Sequence, residues 1–336
     1  MSDTSLPRVI VLSTGGTIAG SGKSSMSLSE YKAGSLKGEQ LVAAVPELEQ
    51  FARVSVEQVG NIGSSNMTFA VWRTLADRID ALYAQDADVA GVVITHGTST
   101  IEETAYFLNL TVRHDRPVVL VGAQRPATAL SADGPLNLVN AVRTAASASS
   151  RGRGVLVVLN DEINAARDVT KSNTFRAETF GSGELGFLGY VDQDKVAYYR
   201  MPEKRHTTKS EFDLQTIGKL PAVEIVYSAV ESNADVIVEA LQQSGVRGIV
   251  FASTGAGSLS DREKATVQQS IKRKLNTVFV RSTRVANGRV LGRPDFDDLG
   301  IVAADNLSPQ KARVLLMLAL ARTSDVKELR RIFSEY

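Results

Sequence analysis

The sequence contains no cysteine, and its 336 residues include only three histidines and one tryptophan. The absence of cysteine excludes disulfide bonds, thiol catalysis and thiolate metal sites, although it leaves the cellular compartment open. Because the histidines (His96, His114 and His206) are scattered along the chain, we do not expect a histidine-based metal site. No apolar run approaches the roughly 20 residues that span a bilayer, so no membrane segment is expected.

The chain also lacks an excess of either charge. Its 38 Lys and Arg residues against 37 Asp and Glu residues leave a formal charge of +1, so a nucleic-acid partner is not expected. A composition of 43% hydrophobic and 22% charged residues is typical of a globular chain, and the length suits two domains. The segment Met1–Val11 has no long apolar region before a cleavage site, which favours a cytoplasmic location, or a periplasmic one if the chain is a processed form.

Short β-branched runs alternate with longer amphipathic segments along most of the chain. Several runs are continuously apolar, as is typical of strands in a parallel sheet that helices cover on both faces. The predicted strands are Val9–Ser13, Val54–Val59, Gly91–Thr95, Val118–Val121, Val155–Leu159, Val223–Tyr227, Gly248–Ala252 and Thr277–Arg281. The clearest predicted helices are Thr68–Tyr83, Thr100–Leu110, Leu136–Ala146, Ala234–Ser244 and Asp261–Lys274. This alternation predicts an α/β fold with mainly parallel sheets.

A polar stretch from about Met201 to Pro221 interrupts the alternation. We interpret it as a linker (201–221) between an N-terminal domain of residues 1–200 and a C-terminal domain of residues 222–336. Near the end of the chain, Ser308 is predicted to cap a helix whose first turn contains Pro309, and Asp325–Phe333 is predicted to form the final helix.

Hydroxyl-bearing residues follow the predicted strands at the ends where open α/β sheets bind ligands. The first strand leads into the glycine-rich segment Ser13–Gly20, which could bring the backbone close to a ligand or simply form a tight turn. Its glycine spacing does not match a nucleotide-binding loop. The third strand leads into Thr95–Glu103, whose hydroxyls and helix N-terminus suit a developing oxyanion.

Each of these segments can also be explained by a purely structural role. Ser99 or Thr100 could cap the following helix, with Glu102 or Glu103 completing a capping box. We expect His96 to form local hydrogen bonds rather than to act in catalysis. Lys171 is either a solvated surface charge or a desolvated lysine that acts as a general base.

Taken in order, six segments resemble those of the bacterial L-asparaginase/glutaminase family, particularly its secreted-type, high-affinity branch. The segments are Thr14–Gly20, Thr95–Thr98, Gly122–Pro126, Ser131–Pro135, Arg167–Lys171 and Asn306–Arg313. The resemblance covers nearly the whole chain and implies a two-domain α/β fold. It also implies a homotetramer in which the C-terminal domain of a neighbouring subunit closes each site, and a mechanism without a cofactor or metal.

The resemblance implies catalytic roles for four residues. Thr17 matches the nucleophilic threonine, and Tyr31 matches the tyrosine that helps to activate it. Thr98 and Lys171 match the second catalytic hydroxyl and its lysine. In such a mechanism the threonine attacks a side-chain amide, ammonia leaves, and water then releases the acid.

The resemblance also implies substrate-binding positions. Ser64 matches a residue that binds the substrate carboxylate, and Ala123 matches a backbone contact to the leaving amide. Gly16 belongs to the same site through its close backbone approach. Ser258 occupies the position at which the neighbouring subunit offers asparagine or serine.

Two positions depart from the family where it binds the amino acid. Ser99 replaces the aspartate that binds the substrate α-ammonium, and Ser65 replaces a glutamine or glutamate. Loss of the partner of a buried ammonium costs about 2–5 kcal/mol, which would weaken asparagine binding by roughly 30- to several-thousand-fold. Asp295 loosely matches an acidic residue from the C-terminal domain.

These departures lead to a specific expectation about the substrate. We expect a threonine-dependent amidohydrolase acting on a small carboxylate-bearing amide, or on a related lactone or cyclic imide, with weakened recognition of a free α-ammonium. One alternative is a true L-asparaginase in which Asp295 or Glu102 replaces the missing carboxylate. Another is a non-catalytic ligand-binding protein on the same fold. A further alternative is that Ser99 is a substitution introduced deliberately, but this would not explain Ser65.

Overall fold

A computed structural model of the chain describes residues 6–336. The chain divides into two compact units, Met1–Ser210 and Glu211–Tyr336, and the division lies within the segment interpreted as a linker. That segment is not a solvated tether, because Phe212, Leu214 and Ile217 are buried. No helix in the described part of the chain combines the length and the apolar character needed to cross a bilayer.

The N-terminal unit contains a large sheet and two short ribbons. Its strands are β1 (Arg8–Gly15), β2 (Ser21–Gly22), β3 (Tyr31–Lys32), β4 (Arg53–Ile62), β5 (Val89–Thr95), β6 (Val118–Val121), β7 (Val155–Leu159), β8 (Glu162–Ala165), β9 (Thr170–Lys171), β10 (Phe180–Gly181), β11 (Gly189–Val191) and β12 (Val196–Tyr198). Its helices are α1 (Gly38–Ala43), α2 (Phe69–Gln85), α3 (Ile101–Thr111) and α4 (Gly134–Ala146).

The eight-stranded sheet has the order β12-β11-β8-β7-β6-β5-β1-β4. Strands β4, β1, β5, β6 and β7 are parallel neighbours, whereas β8, β11 and β12 extend the sheet in antiparallel fashion. Two antiparallel ribbons, β2–β3 and β9–β10, lie outside this sheet. The parallel half therefore places several strand ends at one edge.

Both faces of the parallel half are covered. Val9 and Val11 of β1 belong to a core cluster that includes Leu138 of α4. Ile10 and Leu12, which point to the opposite face, are equally buried. Two buried faces explain why β1 contains a continuous apolar run, whereas the partly buried edge strand β4 mixes apolar and polar residues.

The C-terminal unit is built on a smaller, four-stranded parallel sheet. Its strands are β13 (Val223–Tyr227), β14 (Gly248–Ser253), β15 (Val278–Thr283) and β16 (Val302–Ala303), and its helices are α5 (Ala234–Gln243), α6 (Asp261–Lys272), α7 (Pro294–Asp297), α8 (Pro309–Leu320) and α9 (Val326–Glu335). Ser308 precedes α8 as predicted, but its side chain forms no capping hydrogen bond, which corrects part of that prediction. The predicted two-domain α/β fold is confirmed.

Candidate active site

The candidate site lies where four parallel strands end. Strands β1, β4, β5 and β6 run in one direction, so their last residues lie at the same edge of the sheet. Those last residues are Gly15, Ile62, Thr95 and Val121. The loops that follow them hold most of the residues that the sequence singled out.

The first candidate catalytic pair consists of Thr17 and Tyr31. Thr17 lies in a 3₁₀ turn directly after β1 and is 8% exposed. Tyr31 belongs to the β2–β3 ribbon, and its hydroxyl is 2.7 Å from the Thr17 hydroxyl. A Cβ atom at Gly20 would lie 2.9 Å from the Tyr31 ring, so glycine leaves room for this packing. The pair matches a hydroxyl nucleophile with a neighbouring group that can exchange its proton.

The second pair consists of Thr98 and Lys171. Thr98 follows β5 and is buried, while Lys171 lies on β9. The Lys171 ammonium donates a hydrogen bond of 2.8 Å to the Thr98 hydroxyl. Partial burial lowers the pKa of Lys171, because desolvation disfavours the charged form. The lowered pKa enlarges the neutral fraction of this lysine, which favours a role as a proton acceptor.

Glycines bring the strand-end loops into contact. A Cβ atom at Gly16 would lie 2.4 Å from the backbone nitrogen of Gly97, and one at Gly97 would lie 2.6 Å from the Ser64 hydroxyl. Gly16 also has φ +83°, a conformation that L-residues with side chains rarely adopt. The loops carrying Thr17, Ser64 and Thr98 therefore meet through backbone contacts that side chains would block.

The substrate-binding candidates Ser64 and Ala123 lie in the same group of strand-end loops. Both are buried, and a Cβ atom at Gly122, next to Ala123, would lie 3.0 Å from the Thr98 methyl group. The Thr100 hydroxyl donates a hydrogen bond of 2.8 Å to the Ser64 carbonyl oxygen. Thr100 is a supporting residue that the sequence analysis missed.

The capping box considered as an alternative at the start of α3 does not form. Thr100 does occupy the N-cap position, but its side chain forms no capping bond. Its hydroxyl bonds to Ser64 instead, so a tertiary contact has replaced the local one. Sequence spacing alone could not distinguish these two partners.

Ser65 and Ser99, the two residues that depart from the family pattern, lie in the same strand-end loops. Ser65 follows Ser64, Ser99 follows Thr98, and both are exposed in the chain. The loss of asparagine-binding free energy expected from Ser99 was based on a buried substrate ammonium. An exposed position screens charge much more strongly, so this chain alone supports a smaller penalty than 2–5 kcal/mol.

The two candidates from the C-terminal unit are also exposed. Ser258 lies in a turn closed by its own backbone N–H, which donates to the Thr254 carbonyl oxygen over 2.8 Å. Asp295 forms ion pairs with Arg293 at 3.1 Å and Lys264 at 3.4 Å. Asp295 is thus already paired with cations of its own unit.

His96 is fully buried behind Thr98 and has two hydrogen-bond partners. Its Nδ1 is 2.7 Å from the Gly97 carbonyl oxygen, and its Nε2 is 2.9 Å from the Thr104 hydroxyl. The Trp72 indole donates to that hydroxyl over 2.8 Å, and the Thr104 hydrogen is free to be donated to His96. The contacts fit a neutral ring with hydrogen on Nδ1, in accord with burial that lowers the His96 pKa to about 4.

The arrangement thus consists of two hydroxyls, each with a proton-exchanging partner, beside backbone N–H groups at the start of α3. Residues 6–336 contain no group of three His, Asp or Glu side chains placed to hold a metal ion. Hydroxyl nucleophiles of this kind serve acyl transfer.

Two family models together match nearly the whole chain. Residues 8–204 match the model described as "Asparaginase, N-terminal", and residues 222–333 match the "Glutaminase/Asparaginase C-terminal domain". The chain belongs to the glutaminase/asparaginase family. It is accordingly a hydrolase of carbon–nitrogen bonds in amides.

Individual relatives agree with this assignment. The chain is 46% identical to L-asparaginase 2 of Bacillus subtilis, over 98% of this chain and 87% of the relative. It is 48% identical to the glutaminase-asparaginase of Pseudomonas fluorescens biotype A, over 99% and 91% of the two chains. Among solved structures, a probable cytoplasmic L-asparaginase from Campylobacter jejuni superposes with a TM-score of 0.95 at 44% identity, covering 98% of this chain and all of that one.

Proposed function

We propose that this family member hydrolyses the side-chain amide of L-asparagine to L-aspartate and ammonia. The observation that carries the proposal is the pairing of Thr17 with Tyr31 at 2.7 Å and of Thr98 with Lys171 at 2.8 Å. Relatives at 46–48% identity bear the names L-asparaginase and glutaminase-asparaginase, which favours asparagine over the altered substrate expected at first.

The proposed reaction is a double displacement. The Thr17 hydroxyl attacks the amide carbon, its proton passes to the Tyr31 hydroxyl, and the proton of that hydroxyl is relayed to the amide nitrogen, so that a C–O bond replaces the C–N bond as ammonia leaves. Thr98, with Lys171 as the proton acceptor, then activates the water that cleaves the ester. Ser64 binds the substrate carboxylate, and the backbone at Ala123 contacts the leaving amide.

A second substrate class has specific support from Ser99 and Ser65. Neither side chain offers a negative charge for an α-ammonium, and both are exposed. A small carboxylate-bearing amide without a free ammonium, such as succinamate, would lose nothing from these replacements. This class is the runner-up, because the catalytic pairs do not discriminate between it and asparagine.

Assembly and location are part of the same proposal. We propose a homotetramer in which Ser258 and Asp295 of a neighbouring subunit complete each site, and Asp295 then offers the carboxylate that Ser99 lacks. The cytoplasmic location remains a prediction.

The test compares ammonia release from L-asparagine, L-glutamine and succinamate, with Thr17→Ala as the blank. The proposal predicts the highest kcat/KM for L-asparagine and background rates with Thr17→Ala. A higher kcat/KM for succinamate than for asparagine supports the runner-up instead. Turnover that survives Thr17→Ala contradicts both.

A further inference from the structure

Tyr31 reaches Thr17 from a short ribbon of two residues per strand. In the β2–β3 ribbon, Gly22 pairs with Tyr31 and Ser21 pairs with Lys32. Between the two strands, Met26 is 71% exposed and Leu28 is 44% exposed. Burial of apolar side chains therefore contributes little to holding this ribbon in place, and other contacts must do so.

Three hydrogen bonds connect this region to residues 127–130 of the loop between β6 and α4. The Ala127 N–H donates to the Gly20 carbonyl oxygen over 3.0 Å, and the Leu130 N–H donates to the Ser25 carbonyl oxygen over 2.8 Å. The third bond runs from the Gly22 N–H to the Thr128 hydroxyl over 2.9 Å. Of these three bonds, that of Thr128 is the one made by a side chain.

Hydrogen bonds hold the residues on both sides of the 127–130 segment. The Asp133 carboxylate accepts hydrogen bonds from the backbone N–H groups of Gln124 and Arg125, both at 2.9 Å. The Arg125 side chain donates to the Ser131 carbonyl oxygen over 2.8 Å. The loop thus supports the Gly22 strand of the ribbon, while the chain after Tyr31 is held by the Gly34 N–H, which donates to the Gly16 carbonyl oxygen over 3.0 Å.

We propose that Thr128 is a positioning residue for the reaction. Its hydroxyl fixes Gly22, Gly22 pairs with Tyr31, and Tyr31 is thereby held within hydrogen-bonding distance of Thr17. Thr128 does not touch the reacting atoms and acts through Tyr31. The catalytic consequence rests on the proposed function of Thr17 and Tyr31, whereas the effect of Thr128 on the ribbon does not.

The matched test uses Thr128→Val, which keeps the shape but removes the hydroxyl, and Thr128→Ser, which restores it. One hydrogen bond at an exposed position contributes about 0.5–1.5 kcal/mol, which corresponds to a roughly two- to tenfold change. We expect Thr128→Val to accelerate amide hydrogen exchange in residues 21–32 by that factor, and Thr128→Ser to restore the slow exchange. Thr208→Val, at another exposed threonine, is the control.

The kinetic arm is a double-mutant cycle with Tyr31→Phe. Thr128→Val should lower kcat roughly two- to tenfold with little change in KM, and it should have almost no further effect in Tyr31→Phe. Equal effects in both backgrounds overturn the proposal, as does unchanged exchange in residues 21–32. If Thr128→Val accelerates exchange but Thr17→Ala leaves turnover unchanged, the structural role of Thr128 stands and the proposed function is refuted.

Discussion

Ser99→Asp is the substitution that discriminates most sharply between the two substrate classes. Two opposite charges about 4 Å apart attract by about 1 kcal/mol in water and by about 4 kcal/mol at an effective dielectric constant of 20. Because Ser99 is exposed in this chain, the lower part of that range applies. A gain of about 1–2 kcal/mol raises kcat/KM for L-asparagine roughly 5- to 30-fold.

The assay measures kcat/KM for L-asparagine and succinamate with the unaltered protein, Ser99→Asp and the uncharged control Ser99→Asn. The aspartate should raise the rate with asparagine and lower it with succinamate, since a carboxylate near the substrate attracts an ammonium but repels an acid. In the Ser99→Asn control, the ratio of kcat/KM for L-asparagine to kcat/KM for succinamate should stay nearly the same as in the unaltered protein. A ratio that Ser99→Asp leaves unchanged would refute the assignment of this position to α-ammonium binding.

The same substitution makes an independent prediction about pH. A new carboxylate one residue from Thr98, the hydrogen-bond partner of Lys171, is expected to stabilise the charged form of that lysine. This opposes the desolvation that lowers the pKa of Lys171, so the rate should begin to rise at a higher pH in Ser99→Asp. An acidic limb that does not move would argue against Lys171 as the group that must lose its proton.

Further predictions concern the second pair, the buried histidine and the loop contacts. Lys171→Met should lower kcat by about 10²-fold or more and remove the acidic limb of the pH–rate profile, because no base remains beside Thr98. Because the His96 pKa falls from 6.5 to about 4 on folding, stability should be full above pH 6.5 and decline as the pH falls towards 4. The loss is about 2 kcal/mol at pH 5, measurable by urea unfolding, and His96→Asn should abolish it. Gly16→Ala should abolish activity or lower the melting temperature strongly, whereas Gly181→Ala, where nothing lies within 4 Å of the new Cβ, should do neither.

The strands of the parallel sheets could be predicted from their own residue patterns. The eight apolar runs predicted as strands correspond to β1, β4 to β7 and β13 to β15. The residues of β5, β6, β7 and β14 are almost all buried, so these runs are continuously apolar, whereas the partly buried β4 and β13 also contain polar residues. The carboxyl ends of β1 and β5 then follow from strand direction alone.

The antiparallel part of the sheet was not predicted. Strands β8, β11 and β12 have only three or four residues each, and the ribbons β2–β3 and β9–β10 have two residues per strand. Such short segments have no measurable periodicity, since their strand conformation depends on pairing with distant partners. Sequence patterns therefore missed the elements that carry Tyr31 and Lys171.

Family resemblance predicted the pairs Thr17–Tyr31 and Thr98–Lys171, whereas the contact of Thr100 with Ser64 was not predicted. Residue patterns alone could not give these contacts, because 73 residues separate Thr98 from its lysine and 36 separate Thr100 from the carbonyl oxygen that it supports. Contacts across such distances follow from the folded sheet, so the sequence could suggest Thr100 as a helix cap but not the bond of its hydroxyl to Ser64.

The central claim is that Thr17 forms an ester with the acyl group of an amide substrate. Rapid chemical quenching during turnover of L-asparagine, followed by mass spectrometry of the peptide that contains Thr17, measures this directly. The account predicts an aspartyl group on Thr17 that disappears as the substrate is exhausted. Full turnover with acylation at Thr98, or with no acylated Thr17 at any quench time, would contradict it.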